Sequence, residues 1–407
     1  MLNLVAILGL LILSAHPGDG AAPVRIGLFG LFKPEALHAR VTSGGRATLD
    51  TGTVSGDRAI APGEVIRIRL VSNHLNVTIS DSFGRVVRSF NTARARILPS
   101  GSATVELIIP GKMDRAVRGE VIVAPRDRSP RGGLSVVLAT DRESAAASVV
   151  AAEIGGERSV EAIKALAVVV RTFMLSHAGR HADEGFDFCD TTHCQLYKGE
   201  SHRSGATSPV ISNAVAATVG EFLSFANRPL ATYFTAVCGG LSATPSSVWG
   251  GRGDGSYAYR RVACRWCRAS RYNKWERAAN ASLALDALSS AAGLRLSRTA
   301  EIIVNSFDES GLVRSVIIRD AGRQITMSAD EFRRAIGRKL GWSTVLSPTF
   351  TVERRGPSLI FRGKGFGSQV GLCLAGTVAQ AVARRGYREI LSFYYPQTEV
   401  RVLSAHE

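Results

Sequence analysis

At 407 residues, with 45% hydrophobic residues and no long low-complexity tract, the chain has room for two or three compact domains and is neither fibrous nor disordered. Lys and Arg number 50 against 34 Asp and Glu, a formal charge of +16 that suits a polyanionic partner. Nucleic acid, anionic lipid and an acidic cell-wall polymer are the candidate polyanions. The arginines are scattered and no nucleic-acid module or lysine-rich arm is present, which ranks nucleic acid well below the wall polymer, and no nucleic-acid partner is expected.

The chain opens on an apolar run from Leu2 to Ala15. A membrane span needs about 20 apolar residues, so this run fits the hydrophobic region of a signal peptide with cleavage near Ala21 or Ala22. No Lys or Arg precedes it, a departure from the usual signal pattern. Residues 1–21 are expected to be a signal peptide, and the protein to be exported to the periplasm or cell envelope.

Residues 22–137 read as a small β-rich module. Short alternating or β-branched runs such as "VIRIRLV" and "ATVELIIP" are separated by Gly, Pro, Asn and Asp turns. The character changes over 138–405, where a mixed core is expected. "ESAAASVVAAEIGG" and "SVEAIKALAVVVRTFMLSHAG" carry apolar residues at helical spacing, with Gly155 and Gly156 between them and Ser159 as N-cap. "AVAATVGEFLSFANRPLATYFTAVCGG" reads as strand-like, "ERAANASLALDALSSAAG" as helix, "AEIIVNSFDESGLVRSVIIRD" as a hairpin and "SADEFRRAIGRKLG" as helix. The fold class is therefore α+β, a β-rich N-terminal module followed by a mixed α+β core.

The densest chemistry is "FDFCDTTHCQLYKGE", residues 186–200, with Cys189, His193 and Cys194. Metal ligands, a thiol with its base and a redox staple are all open readings, and a thiol nucleophile lacks a third orienting group. "CRWC", 264–267, offers a second pair. Disulfides among Cys194, Cys238, Cys264 and Cys267 are the simpler account in an exported chain, with zinc and free thiols as alternatives. "GKGFGSQVG", 363–371, has Ser at 368 where a dinucleotide fingerprint needs Gly, so it reads as a tight glycine loop with close backbone approach. "GRGDGS", 251–256, reads as a polar turn. Glu153 ends an apolar stretch, and an apolar setting lets a carboxyl keep its proton.

Taken together, "ASVVAAEIGGERSVEAIKALAVVVRTF", "FDFCDTTHCQLYKG", "TAVCGGLSATPSSVWGG", "CRWCRASRYNKWE", "ADEFRRAIG" and "GYREILSFYYPQTEV" resemble, in order, the motifs of the SpoIID/LytB family. The similarity runs from about Met113 to Val400. It implies an exported protein working on peptidoglycan, either as a lytic transglycosylase on glycan strands or as a non-catalytic wall-binding enhancer of an N-acetylmuramoyl-L-alanine amidase. By resemblance, Glu153 is the catalytic acid and base and Arg171 assists it. Gln195, Tyr197, Gly239, Gly240, Tyr272 and Lys274 contact sugar, and Cys189 and His193 are the metal candidates, with zinc as the metal. The transglycosylase reaction itself requires no cofactor. The family's C-terminal "G.GwGHGVGmcQwGA" reads "GKGFGSQVGLCLAGT" here, with Ser368 for His, Gln369 for Gly, Leu374 for Gln and Thr377 for Ala. Leu166 stands where the family has Gln in the helix after Glu153.

Overall fold

In the computed structural model, the described residues are 22–42, 45–52, 58–126, 132–200, 208–250, 259–308 and 311–403. The expected signal peptide and the Arg-Gly-Asp tripeptide lie outside them. From Val24 onward buried and solvent-facing residues alternate, the period of two that a half-buried strand requires. The strands are β1 (Val24–Leu28), β2 (Ala36–Val41), β3 (Arg46–Asp50), β4 (Arg58–Ile60), β5 (Val65–Val71), β6 (His74–Ser80), β7 (Val86–Thr92), β8 (Ala95–Ser100), β9 (Val105–Ile109), β10 (Met113–Val117), β11 (Glu120–Pro125) and β12 (Leu134–Thr140). One sheet runs β1-β12-β11-β8-β3-β4 and the other β10-β9-β2-β5-β6-β7. Leu37, Ile66 and Ile68 of one sheet share a hydrophobic core with Leu49, Ile97 and Val121 of the other. The expected module end at Val137 falls inside β12, whose register with β1 runs from Val24↔Thr140 to Leu28↔Val136.

Two helices follow. α1 (Arg142–Ile154) starts at Asp141, whose side chain accepts from the Ser144 N–H at 2.8 Å, and ends at Gly155. α2 (Val160–Ser176) starts after Ser159, which makes no side-chain cap; Glu157 takes the Ser159 N–H instead. The alanines of α1 let it pack closely on α2 and on the first core. β13 (Phe188–Cys189) then pairs parallel with β1, Ile26↔Phe188 and Gly27↔Cys189, and becomes the seventh strand of the first sheet.

The rest of the chain is α3 (Ser208–Ala216), β14 (Glu221–Phe225), β15 (Arg228–Pro229), β16 (Phe234–Thr235), α4 (Pro245–Trp249), β17 (Trp275–Asn280), α5 (Ala281–Ala292), β18 (Glu301–Phe307), β19 (Val313–Asp320), β20 (Arg323–Ser328), α6 (Ala329–Leu340), β21 (Phe350–Arg355), β22 (Ser358–Gly363), β23 (Leu372–Cys373), α7 (Leu374–Val382), α8 (Tyr387–Tyr394) and β24 (Glu399–Val402). The strand-like reading from Ala214 is corrected at its start. Ile211, Ala214 and Val215 are buried at helical spacing, so 208–216 is a helix and the strand begins at Glu221. α6 opens on a capping box in which Ser328 and Glu331 satisfy each other's backbone N–H groups. The α+β class holds, with a second core around α2, β16, β23 and α8 and a third around α5, α6, β17 and β22. Among the described residues no helix is long and apolar enough to cross a membrane.

Candidate active site and metal centre

The loop at 186–200 is clamped to the N-terminal module by its two aspartates. Asp187 accepts from the N–H of Arg25 at 2.8 Å and of Gly179 at 2.9 Å. Asp190 accepts from the Phe29 N–H at 3.0 Å and from Arg115 Nη1 at 2.6 Å, a pair buried on both sides. The Arg115 guanidinium also lies 4.9 Å over the Phe29 ring. Farther along, the Gly199 carbonyl accepts from Ser148 Oγ of α1 at 2.9 Å. These bonds fix a segment that has almost no regular secondary structure of its own.

The clamped loop gathers His181, Cys189, His193 and Cys194, whose ligand atoms all lie within 4.8 Å of one another. Cys189 Sγ is 3.6 Å and Cys194 Sγ 3.7 Å from His193 Nδ1, and Cys194 Sγ is 3.3 Å from His181 Nε2. Hydrogen bonding from Cys194 pulls the Cys189 thiol down to about 3, while the same bond pushes Cys194 up. His181 Nδ1 meets Glu184 Oε1 at 2.8 Å, which leaves Nε2 for the cluster. Two thiols and two imidazoles converging on one point, one imidazole backed by a carboxylate, fit a tetrahedral zinc ion. Cys189 and His193 both belong to this cluster. The sequence reading missed His181 as a partner, for which a His eight residues before Cys189 was the available signal, and it favoured a disulfide for Cys194, which is free and lies with the histidines.

Glu153 sits one residue from the end of α1, half-buried, and its Oε1 accepts from the Leu196 N–H at 3.3 Å. Burial pushes its carboxyl above the usual range, against the Leu196 hydrogen bond and the positive Lys198, which favour the ionised form. The acid is thus held against the segment that follows the Cys/His cluster.

Residues 131–225, which span α1, α2, the clamped loop and β14, match the model of the SpoIID family, stage II sporulation protein. Over this stretch the chain carries a SpoIID domain. It is 27% identical over 255 residues to an uncharacterised protein of Brachyspira hyodysenteriae, covering 61% of this chain and 63% of that one. It is 26% identical over 268 residues to stage II sporulation protein D of Bacillus subtilis, covering 62% and 72% of the two chains. The protein of the same name from Bacillus amyloliquefaciens is 24% identical over 269 residues. The chain thus spans a little under two thirds of the length of the Brachyspira relative.

The other residues that the resemblance names have varied surroundings. Arg171 is fully buried, and its guanidinium makes two 2.7 Å bonds to Glu143 and one of 2.8 Å to the Glu221 carbonyl. Glu143 opens α1 and Glu153 closes it, roughly 15 Å apart at 1.5 Å per residue, so Arg171 ties helix to sheet and does not orient the acid. Tyr197 is 2% exposed within the first core and offers no free face for a sugar to stack on. Gln195 is buried, and neither end of its amide meets a hydrogen-bond partner among the described residues.

Gly239, at φ +73°, lies where a Cβ would come 2.8 Å from the Gly365 nitrogen; it admits the glycine loop as a neighbour. Gly240 accepts the Cys264 N–H at 2.9 Å through its carbonyl. Tyr272 is half-buried, stacks obliquely on Phe366 at 4.9 Å and passes its carbonyl to the Gly365 N–H. Lys274, with Arg362 and Lys364, lines a separate open groove of about 500 Å³ that includes Trp275 and the exposed Phe307.

The glycine loop at 363–371 is organised around Gln369. That residue takes φ +65°, donates through Nε2 to the Cys238 and Lys364 carbonyls at 2.7 and 3.2 Å, and accepts from Thr349 Oγ1 at 2.8 Å. Ser368 Oγ accepts from the Val370 N–H at 3.3 Å. "CRWC" does not join Cys189 and His193, and Cys194 lies with the histidines, apart from Cys238, Cys264 and Cys267.

Proposed function

We propose that this chain is an exported lytic transglycosylase that cleaves the MurNAc–GlcNAc bond of peptidoglycan glycan strands, taken in peptide-stripped form. The observation that carries the reading is Glu153: one carboxyl whose pKa burial raises, hydrogen-bonded to the Leu196 N–H of the clamped loop within the SpoIID domain. Most glycosidases use two carboxylates because one must activate water or attack the sugar. A transglycosylase uses the sugar's own 6-hydroxyl, so one group suffices.

Protonated Glu153 gives its proton to the glycosidic oxygen as the bond from that oxygen to C1 breaks. The carboxylate left behind takes the proton of the MurNAc 6-hydroxyl, whose oxygen bonds to C1 and closes the 1,6-anhydro ring. Glu153 ends protonated, ready for the next cycle. The Leu196 N–H holds the carboxylate in place through both transfers. The buried, unpartnered Gln195 amide beside it suits an N-acetyl group, because a buried amide without partners favours a ligand that satisfies it. His181, Cys189, His193 and Cys194 would hold zinc; with four protein ligands the ion supplies no open coordination position and serves to lock the loop.

The experiment is mass spectrometry of peptide-free glycan strands incubated with the full chain and with Glu153→Gln. Fragments ending in 1,6-anhydroMurNAc from the wild type alone support the reading, and cleavage retained by Glu153→Gln overturns it. Gln369 favours a second reading, a wall-binding enhancer of an amidase, since its side chain closes the C-terminal loop where the family carries Gly after His. Intact strands with saturable binding, and amidase stimulation that survives Glu153→Gln, would establish that alternative.

A further inference from the structure

The cysteines outside the clamped loop form a cluster of their own. Cys238 lies beyond β16, Cys264 precedes and Cys267 ends a single 3₁₀ turn, and Cys373 closes β23. All four are buried, and every Sγ lies within 4.8 Å of every other. Cys238 Sγ and Cys267 Sγ stand 3.6 Å apart.

That spacing discriminates between the chemistries four cysteines allow. A disulfide needs its sulfurs about 2.05 Å apart, and all four are free. An iron–sulfur cluster has its thiolates on different iron atoms, which spreads them more widely than this. Four thiolates about 2.3 Å from one central ion lie ~3.8 Å from one another along the edges of a tetrahedron, the scale found here.

The surroundings suit thiolates. The N–H groups of Cys238 and Gly376 donate to Cys373 Sγ at 3.3 and 3.4 Å, and the Tyr394 hydroxyl is 3.3 Å from Cys264 Sγ. Cys373 also caps the nine-residue helix α7, whose N-terminal partial positive charge favours an anion. At Gly376 a Cβ would lie 2.2 Å from the Tyr394 hydroxyl and 2.9 Å from Cys264 Sγ, so glycine is what lets the helix close over the sulfurs. Four buried thiolates with no cation would be untenable. One divalent ion leaves two net negative charges, which these donors meet.

We propose that Cys238, Cys264, Cys267 and Cys373 bind a single zinc-class divalent ion as a closed, structural four-thiolate site, distinct from the Cys/His centre. The ion joins the segment after β16, the 264–267 turn and the C-terminal β23–α7 unit, three pieces distant in the sequence. Gln369 completes the junction by donating to the Cys238 carbonyl.

The test is metal analysis of the full chain, purified without chelator, beside Cys189→Ser/Cys194→Ser, which removes the loop centre alone. The wild type is expected to carry two equivalents of zinc and the double variant one. Reconstituted with cobalt, the double variant should show the intense visible bands and thiolate-to-metal charge transfer of a tetrahedral four-sulfur complex. Cys238→Ser should lose that spectrum, and if it fails to fold, the double variant still decides the matter. Failure of the double variant to retain metal, or peptide mapping that finds disulfides among the four cysteines, would overturn the proposal. Neither result depends on glycan cleavage.

Discussion

The Leu196 N–H donates to Glu153 Oε1 at 3.3 Å, so the acid that closes α1 is fastened to the backbone two residues past Cys194. One hydrogen bond thus links the carboxyl to the Cys/His loop. Replacing Glu153 by Gln keeps the side chain's size and an acceptor for this N–H but removes the transferable proton. Cleavage by Glu153→Gln is expected to fall at least ~10²-fold, the scale of a lost general acid–base group, with strand affinity unchanged. Turnover against pH should fall as pH rises through the raised pKa of Glu153, because the acid form starts the reaction. A wild-type rate that stays flat across that range would contradict the assignment.

The same raised pKa has a consequence for stability. Below the ordinary carboxylate pKa, Glu153 is neutral in both folded and unfolded chains and costs nothing. As pH rises toward the raised folded value the unfolded chain sheds its proton first, and stability declines until the folded carboxyl ionises too. Glu153→Gln should therefore unfold at a higher temperature than the wild type near neutral pH, with the gain disappearing below about pH 4. Melting curves of both proteins across that range check it. A gain independent of pH would have another cause.

Asp190 and Arg115 form a buried ion pair that carries the loop on the β-sandwich. Removing one member leaves the other charged and without its counter-ion, at a cost of about 3–5 kcal/mol. Asp190→Ala is expected to lose that much in denaturant unfolding, and to shed loop zinc more readily because Phe29 loses its acceptor as well. Unchanged stability would mean the loop is held by its other bonds.

Arg171 is a structural clamp, and a conservative change can expose that. Lysine keeps the charge but lacks the planar fork that spans both Glu143 oxygens and the Glu221 carbonyl. Arg171→Lys should lower stability by on the order of 2–3 kcal/mol, as expected for lost hydrogen bonds to a charged group. The pH profile of any glycan cleavage should stay where it was. A shifted profile with normal stability would return Arg171 to the active site.

Glu184 backs His181 from the far side of the Cys/His centre. Carboxylates in that position raise the ligand's basicity and fix its orientation. Glu184→Gln should weaken zinc at that centre by about 10–100-fold. Competition with a chromophoric chelator measures the shift, and the four-cysteine site supplies an internal reference that should not move.

Local patterns in the sequence determined much of this protein. Alternation specified the strands of the sandwich, and helical spacing with the Gly155–Gly156 break separated α1 from α2, although the expected cap Ser159 makes no side-chain cap bond. The crowding of Cys, His and Asp into 186–200 marked the candidate loop, and Glu153 was singled out by the family resemblance. All of these are properties of neighbours along the chain, set by backbone geometry over a few residues. Tertiary structure alone decided which distant groups meet. Asp190 reaches Phe29 across 161 residues and Cys373 reaches Cys238 across 135, and no spacing in the sequence records either meeting. It likewise buried Tyr197, turned Arg171 toward Glu143, and divided six cysteines into two clusters rather than one set of disulfides. Those outcomes depend on how sheets and helices pack against one another. Packing is settled by the burial of the whole apolar surface, not by any one stretch.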